Sequence, residues 1–386
     1  MPGELESLLK FEIPEIIFGR GSLKQLGHCS RRMGGDRVLL VTDPGIIATG
    51  WIDEAIAYLK QEDLKYVVYD NVVTNPRSFQ VEQGALEYSR KECDVIVAIG
   101  GGSPMDTAKG IAILASNRGC IQDYVGCNLI TEPIPPLICV PTTAGTGSDV
   151  SQFAIIANPG KMIKMTILSR AIMPDISLID PRLLQTKSSE MIASTGMDAL
   201  THAIEAYVSS LSWSLTDPHA SHAITLVFRH LKEAVYKKTL DPLEGMAVAS
   251  LEAGAAFSNA ILGAVHALAH PLGGRYDMHH GLANAILLPV VLKKNLEYAP
   301  EKYALIANAM GIDTRGKTSA EAAEQVPEQI EALIKALHIP TKLSQIGVRK
   351  EDIPCLARDA AEDLCMMTNP QKYGVAEIET MYQDAL

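Results

Sequence analysis

The stretch CDVIVAIGGGSPMDTAKGIAIL, residues 93–114, decides the fold. Its first half is a short apolar run rich in β-branched residues and reads as a buried strand. Its second half spaces apolar residues as a helix does. Gly100, Gly101 and Gly102 join the two, followed by Ser103 and Pro104. Glycine lets a backbone bring N–H groups close to a pyrophosphate, and a helix N-terminus favours negative charge there. Ser103 as N-cap, Pro104 in the first turn and Asp106 as the far end of a Ser-x-x-Asp capping box form the expected helix start. The turn is not G-x-G-x-x-G. It also follows the third strand of its run, so a standard Rossmann assignment does not apply.

Working outward, FEIPEIIFGRGS (11–22) reads as a strand and a tight turn, and VLLVTD (38–43) as the first strand of the run. A helix follows at WIDEAIAYLKQ, a strand at KYVVYD (65–70) and a helix at SFQVEQGALEYSRKE. LICVPTT (137–143) is a fourth strand. Strands alternating with helices predict a parallel sheet covered by helices on both faces. Asp43, at the end of the first strand, suits two roles. It either binds the adenosine ribose hydroxyls, favouring NAD over NADP, or caps the following turn. A second loop, PTTAGTGSD (141–149), offers hydroxyl donors at Thr142, Thr143, Thr146 and Ser148 beside glycines that allow close approach.

After IDPRLL (179–184) the texture changes. MDALTHAIEAYV, HASHAITLVFRHL, GMAVASLEAGAAFSNAIL and PEKYALIANAMG are alanine-rich with helical apolar spacing. We read an α/β dinucleotide-binding domain over 1–184 and an all-helical domain over 185–386, with the active site in the cleft between them.

The helical half holds four candidate metal ligands. Asp198 and His202 are four apart and share one helix face. His266 in GAVHALAHPLGG and His280 in MHHGLANAILLP join them only through folding. One carboxylate and three imidazoles suit a divalent ion such as Fe²⁺ or Zn²⁺. A lone histidine on an apolar helix is more often a core residue. Here, however, most of the 10 histidines fall between 202 and 280. HALAH is not the His-Glu-x-x-His of a zinc protease, because Ala267 stands where the glutamate is needed.

A formal charge of −11, 5% aromatic residues and no basic run argue against nucleic acid or an anionic membrane as partner. MPGELESLLKFEIPE lacks the basic start and apolar core of a signal peptide. The longest apolar run, AILLPVVL, is broken by Pro289 and falls far short of the ~18 residues of a span. Seven cysteines without a Cys-x-x-Cys pair point to reduced thiols in a cytoplasm.

Together these segments resemble the iron-containing alcohol dehydrogenase family nearly end to end. The match includes FGRGSL, VTD, the TNP at 74–76, GGGSPMDTAK, PTTAGTGSDV, MPDISLIDP, GMDALTHAIEAY, HALAHPLGG, HGLANAILLP and the NP at 369–370. The nearest likeness is to the 1,3-propanediol, lactaldehyde and short-chain alcohol dehydrogenases.

The resemblance implies a dehydroquinate synthase-like architecture and interconversion of a small primary alcohol or diol and its aldehyde with NAD(H). It implies Fe²⁺, with Zn²⁺ as the alternative, on Asp198, His202, His266 and His280. His280 is preferred to His279 because the family's ligand directly precedes glycine. It implies cofactor contacts at Asp43, Asn75, Gly100, Gly101, Gly102, Ser103, Thr142, Thr143, Thr146 and Lys164, with Lys161 competing for the last. His270, one turn after His266, is placed near substrate and nicotinamide as a proton relay. Dimers or larger homo-oligomers are implied, and the FEIPEIIF strand suits pairing across a two-fold axis. Two departures stand out: Asp149 where glutamate is usual, and His279 where proline is common. The rival readings are a zinc-dependent glycerol or polyol dehydrogenase or synthase-like relative, and a non-catalytic NADH or metal sensor.

Overall fold

The computed structural model describes residues 10–386. The leading MPGELESLL, part of the segment read above as no signal peptide, lies outside the described residues. Nine strands occur among them: β1 Glu15–Phe18, β2 Arg37–Val41, β3 Lys65–Tyr69, β4 Val95–Gly100, β5 Gly126–Cys127, β6 Leu137–Pro141, β7 Phe153–Asn158, β8 Ile163–Leu168 and β9 Ile176–Ile179. Six of them form a sheet in the order β1-β9-β6-β4-β2-β3, parallel at every pairing.

The alternation of side chains explains why its central strands are apolar throughout. Val38, Leu40, Val95, Val97 and Ile99 pack into one core. Their neighbours Leu39, Val41, Ile96 and Ala98 pack into another, on the opposite face. Helices cover both faces, as a parallel sheet requires. The chain runs from β2 outward to β3, then crosses to β4 on the other side of β2. The crevice at the carboxyl ends of β2 and β4 is therefore the topological switch point, where open α/β sheets bind ligands.

A second sheet, β5-β8-β7, was not expected from the sequence, nor was β9. β5 has two residues and β9 four, and β7 opens as an unbroken apolar run, so none of the three carries a clear strand period; β8, IKMTIL, does alternate. The buried Lys109 fastens this layer to the helix Gly102–Ser116, its ammonium donating to the carbonyls of Ser151 and Phe153, both at 2.7 Å.

The expected capping box does not form. Gly101 is the residue before the helix, and Ser103 lies inside it. Asp106 reaches away: its carboxylate accepts from Ser148 Oγ at 2.6 Å and from the Ile155 N–H at 3.1 Å. The threonine-rich loop and β7 pack across the helix, and their buried donors outcompete a local cap. The first N–H groups of the helix thus have no side-chain cap.

From Ser189 onward the described chain is helical. The helix Ser189–Val208 starts with the Ser188 hydroxyl accepting from the Met191 N–H and is buried from Ile192 to Val208. Helices Thr216–Lys237, Leu240–Ala260, Ala264–Tyr276 and His280–Asn295 surround it in one continuous core. Among the described residues no single helix is long and apolar enough to cross a membrane.

Candidate active site

A cavity of about 690 Å³ lies between the two halves, a size that suits a cofactor and a small substrate. Its α/β wall includes Asp43, Asn75, Gly101, Gly102, Ser103, Thr143, Thr146 and Lys164. Its helical wall includes Asp198, His202, His266, His270 and His280. Of the sequence-selected residues, only Gly100 and Thr142 stay out of the lining. Gly100 is the last residue of β4 and its carbonyl accepts from the Thr142 N–H at 2.8 Å. Lys164 and Lys161 separate cleanly: Lys164 lines the cavity, whereas Lys161 is exposed.

Asp43 does cap its turn, accepting from the Ile46 N–H at 3.0 Å, and it faces the cavity as well. Asn75 adopts a left-handed backbone, φ 53°, and donates to Asp277 at 2.7 Å. Arg77 reaches the other oxygen of Asp277 at 2.8 Å. This clasp ties the loop after β3 to the segment that leads into His280.

The four candidate ligands converge. One ligand atom each from Asp198, His202 and His266 lie within 4.8 Å of one another. His280 Nε2 is 4.0 Å from Asp198 Oδ1, and His266 Nε2 is 3.9 Å from it. Asp198 and His202 lie one turn apart on the buried helix, as their spacing requires. His266 gets there by a sharp corner. Ile261, at φ 64°, turns the chain by 100° between the helices Leu240–Ala260 and Ala264–Tyr276. A β-branched residue in that region stores about 1–3 kcal/mol. Gly281 explains why glycine must follow the fourth histidine, since a Cβ there would meet the Ser194 carbonyl oxygen at 2.3 Å.

Hydrogen bonds set the imidazole tautomers. His202 Nδ1 donates to the Gly145 carbonyl at 2.9 Å, and His266 Nδ1 donates to the Glu205 carboxylate at 2.5 Å. Each leaves its Nε2 lone pair facing inward, the arrangement a metal-binding histidine needs. Burial holds His266 and His280 well below the usual imidazole range, so both are neutral donors. Asp198 is buried, and its only ion-pair partners among the described residues are these histidines. A buried negative charge facing neutral nitrogen donors fits a divalent cation.

Sequence reasoning missed several residues. Glu205 follows Asp198 by seven and His202 by three, so the same helical face could have revealed it. Its other oxygen accepts from the Val265 N–H at 2.6 Å, and burial raises its carboxyl to about 7. Asn284, one turn after His280, donates to Asp198 Oδ1 at 2.7 Å and lies 3.1 Å from His266 Nε2. Asp363 accepts from His270 Nδ1 at 2.7 Å, and Cys365 completes a second cluster with them. Nothing local in the sequence marks these last two. His279 also lines the cavity, its Nδ1 buried without a partner.

Residues 14–181 match the profile of iron-containing alcohol dehydrogenase, and residues 192–386 match the C-terminal part of the Fe-containing alcohol dehydrogenase family. The chain belongs to this family. It is 41% identical to 1,3-propanediol dehydrogenase of Klebsiella pneumoniae, with 98% of this chain and 99% of that one aligned. It is 36% identical to the NAD-dependent methanol dehydrogenase of Bacillus methanolicus, over 97% of this chain and 98% of that one. A crystal structure of a 1,3-propanediol oxidoreductase superposes with a TM-score of 0.96 at 40% identity, covering 98% of this chain and 100% of that one. The protein is thus an oxidoreductase that interconverts alcohols and aldehydes. The family implies NAD and a divalent metal.

The Glu205 contact yields a test. Glu205→Ala should weaken metal binding roughly 10- to 100-fold in a chelator competition, whereas Glu205→Gln, which still accepts from His266, should lose less. Equal affinity in all three proteins would remove Glu205 from the metal site.

Proposed function

We propose that this protein reversibly oxidises a small primary alcohol or diol to its aldehyde with NAD, using iron held by Asp198, His202, His266 and His280. The single observation that supports this most is the convergence of that donor set with an uncapped helix N-terminus in one cavity. The dinucleotide lies along Asp43, Asn75, Gly101, Gly102, Ser103, Thr143, Thr146 and Lys164, while Gly100 and Thr142, buried behind the lining, support the two loops. When bound, the metal supplies Lewis acidity toward the alcohol oxygen and the nicotinamide accepts hydride. The domain boundary falls at 184/185, between the last strand and the Ser189 helix.

The chain's own residues divide the work. The helix N–H groups at Gly102 and Ser103 receive the pyrophosphate. Phe153, Phe257 and Leu262 line the cavity and limit water at the reacting carbon. His270 takes the alcohol proton on Nε2, because Nδ1 is engaged by Asp363. Burial would raise Asp363, but the His270 imidazole and its hydrogen bonds hold it below the usual carboxylate range. It therefore stays anionic and stabilises the imidazolium as that forms.

β1 supports a homodimer, because among the described residues it pairs with β9 alone and leaves a strand edge for a second copy. Seven free thiols support a reducing, cytoplasmic setting.

Anaerobic NADH oxidation with a panel of short aldehydes tests the reaction. Turnover should require added Fe²⁺ or Zn²⁺ and vanish in His266→Ala, and His270→Ala should slow it with metal content preserved. A loaded protein that reduces no aldehyde would sink the proposal. Burial lowers the Lys164 ammonium to about 8, so it is charged below that pH and neutral above. NADH affinity should then fall as pH rises through about 8, and Lys164→Met should abolish that step. Light scattering should give a multiple of the 41.6 kDa chain mass; a monomer would end the dimer proposal.

A further inference from the structure

Lys187 lines the same cavity, and neither the fold nor the reaction described above uses it. It lies in the linker between the turn Pro181–Thr186 and the Ser189 helix. Two contacts locate it. Trp51 Nε1 donates to Thr186 Oγ1 at 3.4 Å, which sets this linker beside the segment that follows Asp43. Lys187 also borders a small void with Thr143, Ala144 and Thr195, so the side chain lies between the threonine-rich loop and the Asp43 turn.

Lys187 is half-buried and feels the charge of Asp43, yet its ammonium forms no hydrogen bond or ion pair among the described residues. Asp43 is itself engaged by the Ile46 N–H. Partial burial lowers its pKa, and an ammonium facing the cleft without a protein acceptor is free to meet an anion there. Such a group is worth keeping where an anion arrives. Lysine binds phosphate as a point charge, and Thr143, which borders the same void as Lys187, also lies beside Gly101 at the uncapped helix end.

We propose that Lys187 is a phosphate-binding residue of the dinucleotide cleft. The inference rests on the dinucleotide reading given above. Two phosphates lie on this part of such a ligand: the pyrophosphate, common to NAD and NADP, and the 2′-phosphate of NADP alone. In the second case Lys187 offsets the repulsion by Asp43, and the enzyme accepts both cofactors.

The experiment titrates NADH and NADPH into the metal-loaded wild type, Lys187→Gln and Lys187→Arg, following nicotinamide fluorescence at two salt concentrations. Lys187→Gln should raise Kd about 10-fold and flatten the salt dependence, and Lys187→Arg should restore most of both. Loss for both dinucleotides assigns the pyrophosphate, and loss for NADPH alone assigns the 2′-phosphate. Unchanged Kd for both in Lys187→Gln overturns the inference while leaving the dinucleotide reading intact. A wild type that binds neither dinucleotide overturns that reading and the inference with it.

Discussion

The carboxylate of Glu205 is buried between two helices, and one of its oxygens accepts from His266 Nδ1 while the other accepts from the Val265 N–H. It therefore joins the helix of Asp198 and His202 to the first turn of the helix of His266. Water cannot substitute for either bond at that depth, and an unpaired group there costs about 1–3 kcal/mol. The same contact sets the ring orientation of His266 and presents its Nε2 to Asp198. The corner at Ile261 is tolerated because these contacts determine it from both sides.

The cleft depends on a second constraint, the clasp of Asn75 and Arg77 on Asp277. It joins the cofactor wall to the residue three before His280. The candidate cofactor residues and the candidate metal ligands line opposite walls of one cavity. Neither half of the chain holds a complete site.

Much of this was legible in the residues. The run VIVAI into three glycines is a strand entering a tight turn wherever it occurs, because its β-branched side chains fit a pleated sheet and its glycines fit close backbone approach. Asp198 and His202 share a face because a helix repeats every 3.6 residues. The family resemblance rested on these same segments. The capping box at Ser103 and Asp106 was misread, because a Ser-x-x-Asp pattern cannot show that Ser148 and Ile155 fold over the helix and claim the carboxylate. In the small second sheet β5 has two residues and β7 is an unbroken apolar run, so neither carries a strand period, although β8 does.

By itself, the sequence determined the central strands and helices, the parallel α/β and helical halves, and the residue types able to hold a cation and a dinucleotide. Local geometry depends on near neighbours, and those are written in order along the chain. Only the tertiary structure decided that Glu205 orients His266, that Asp363 holds His270, that Asn284 completes the ligand cluster and that Lys187 faces the cleft. These pairs lie up to 93 residues apart, and their meeting depends on how buried helices pack. Packing is a property of complementary surfaces across the whole core, so no window of sequence contains it.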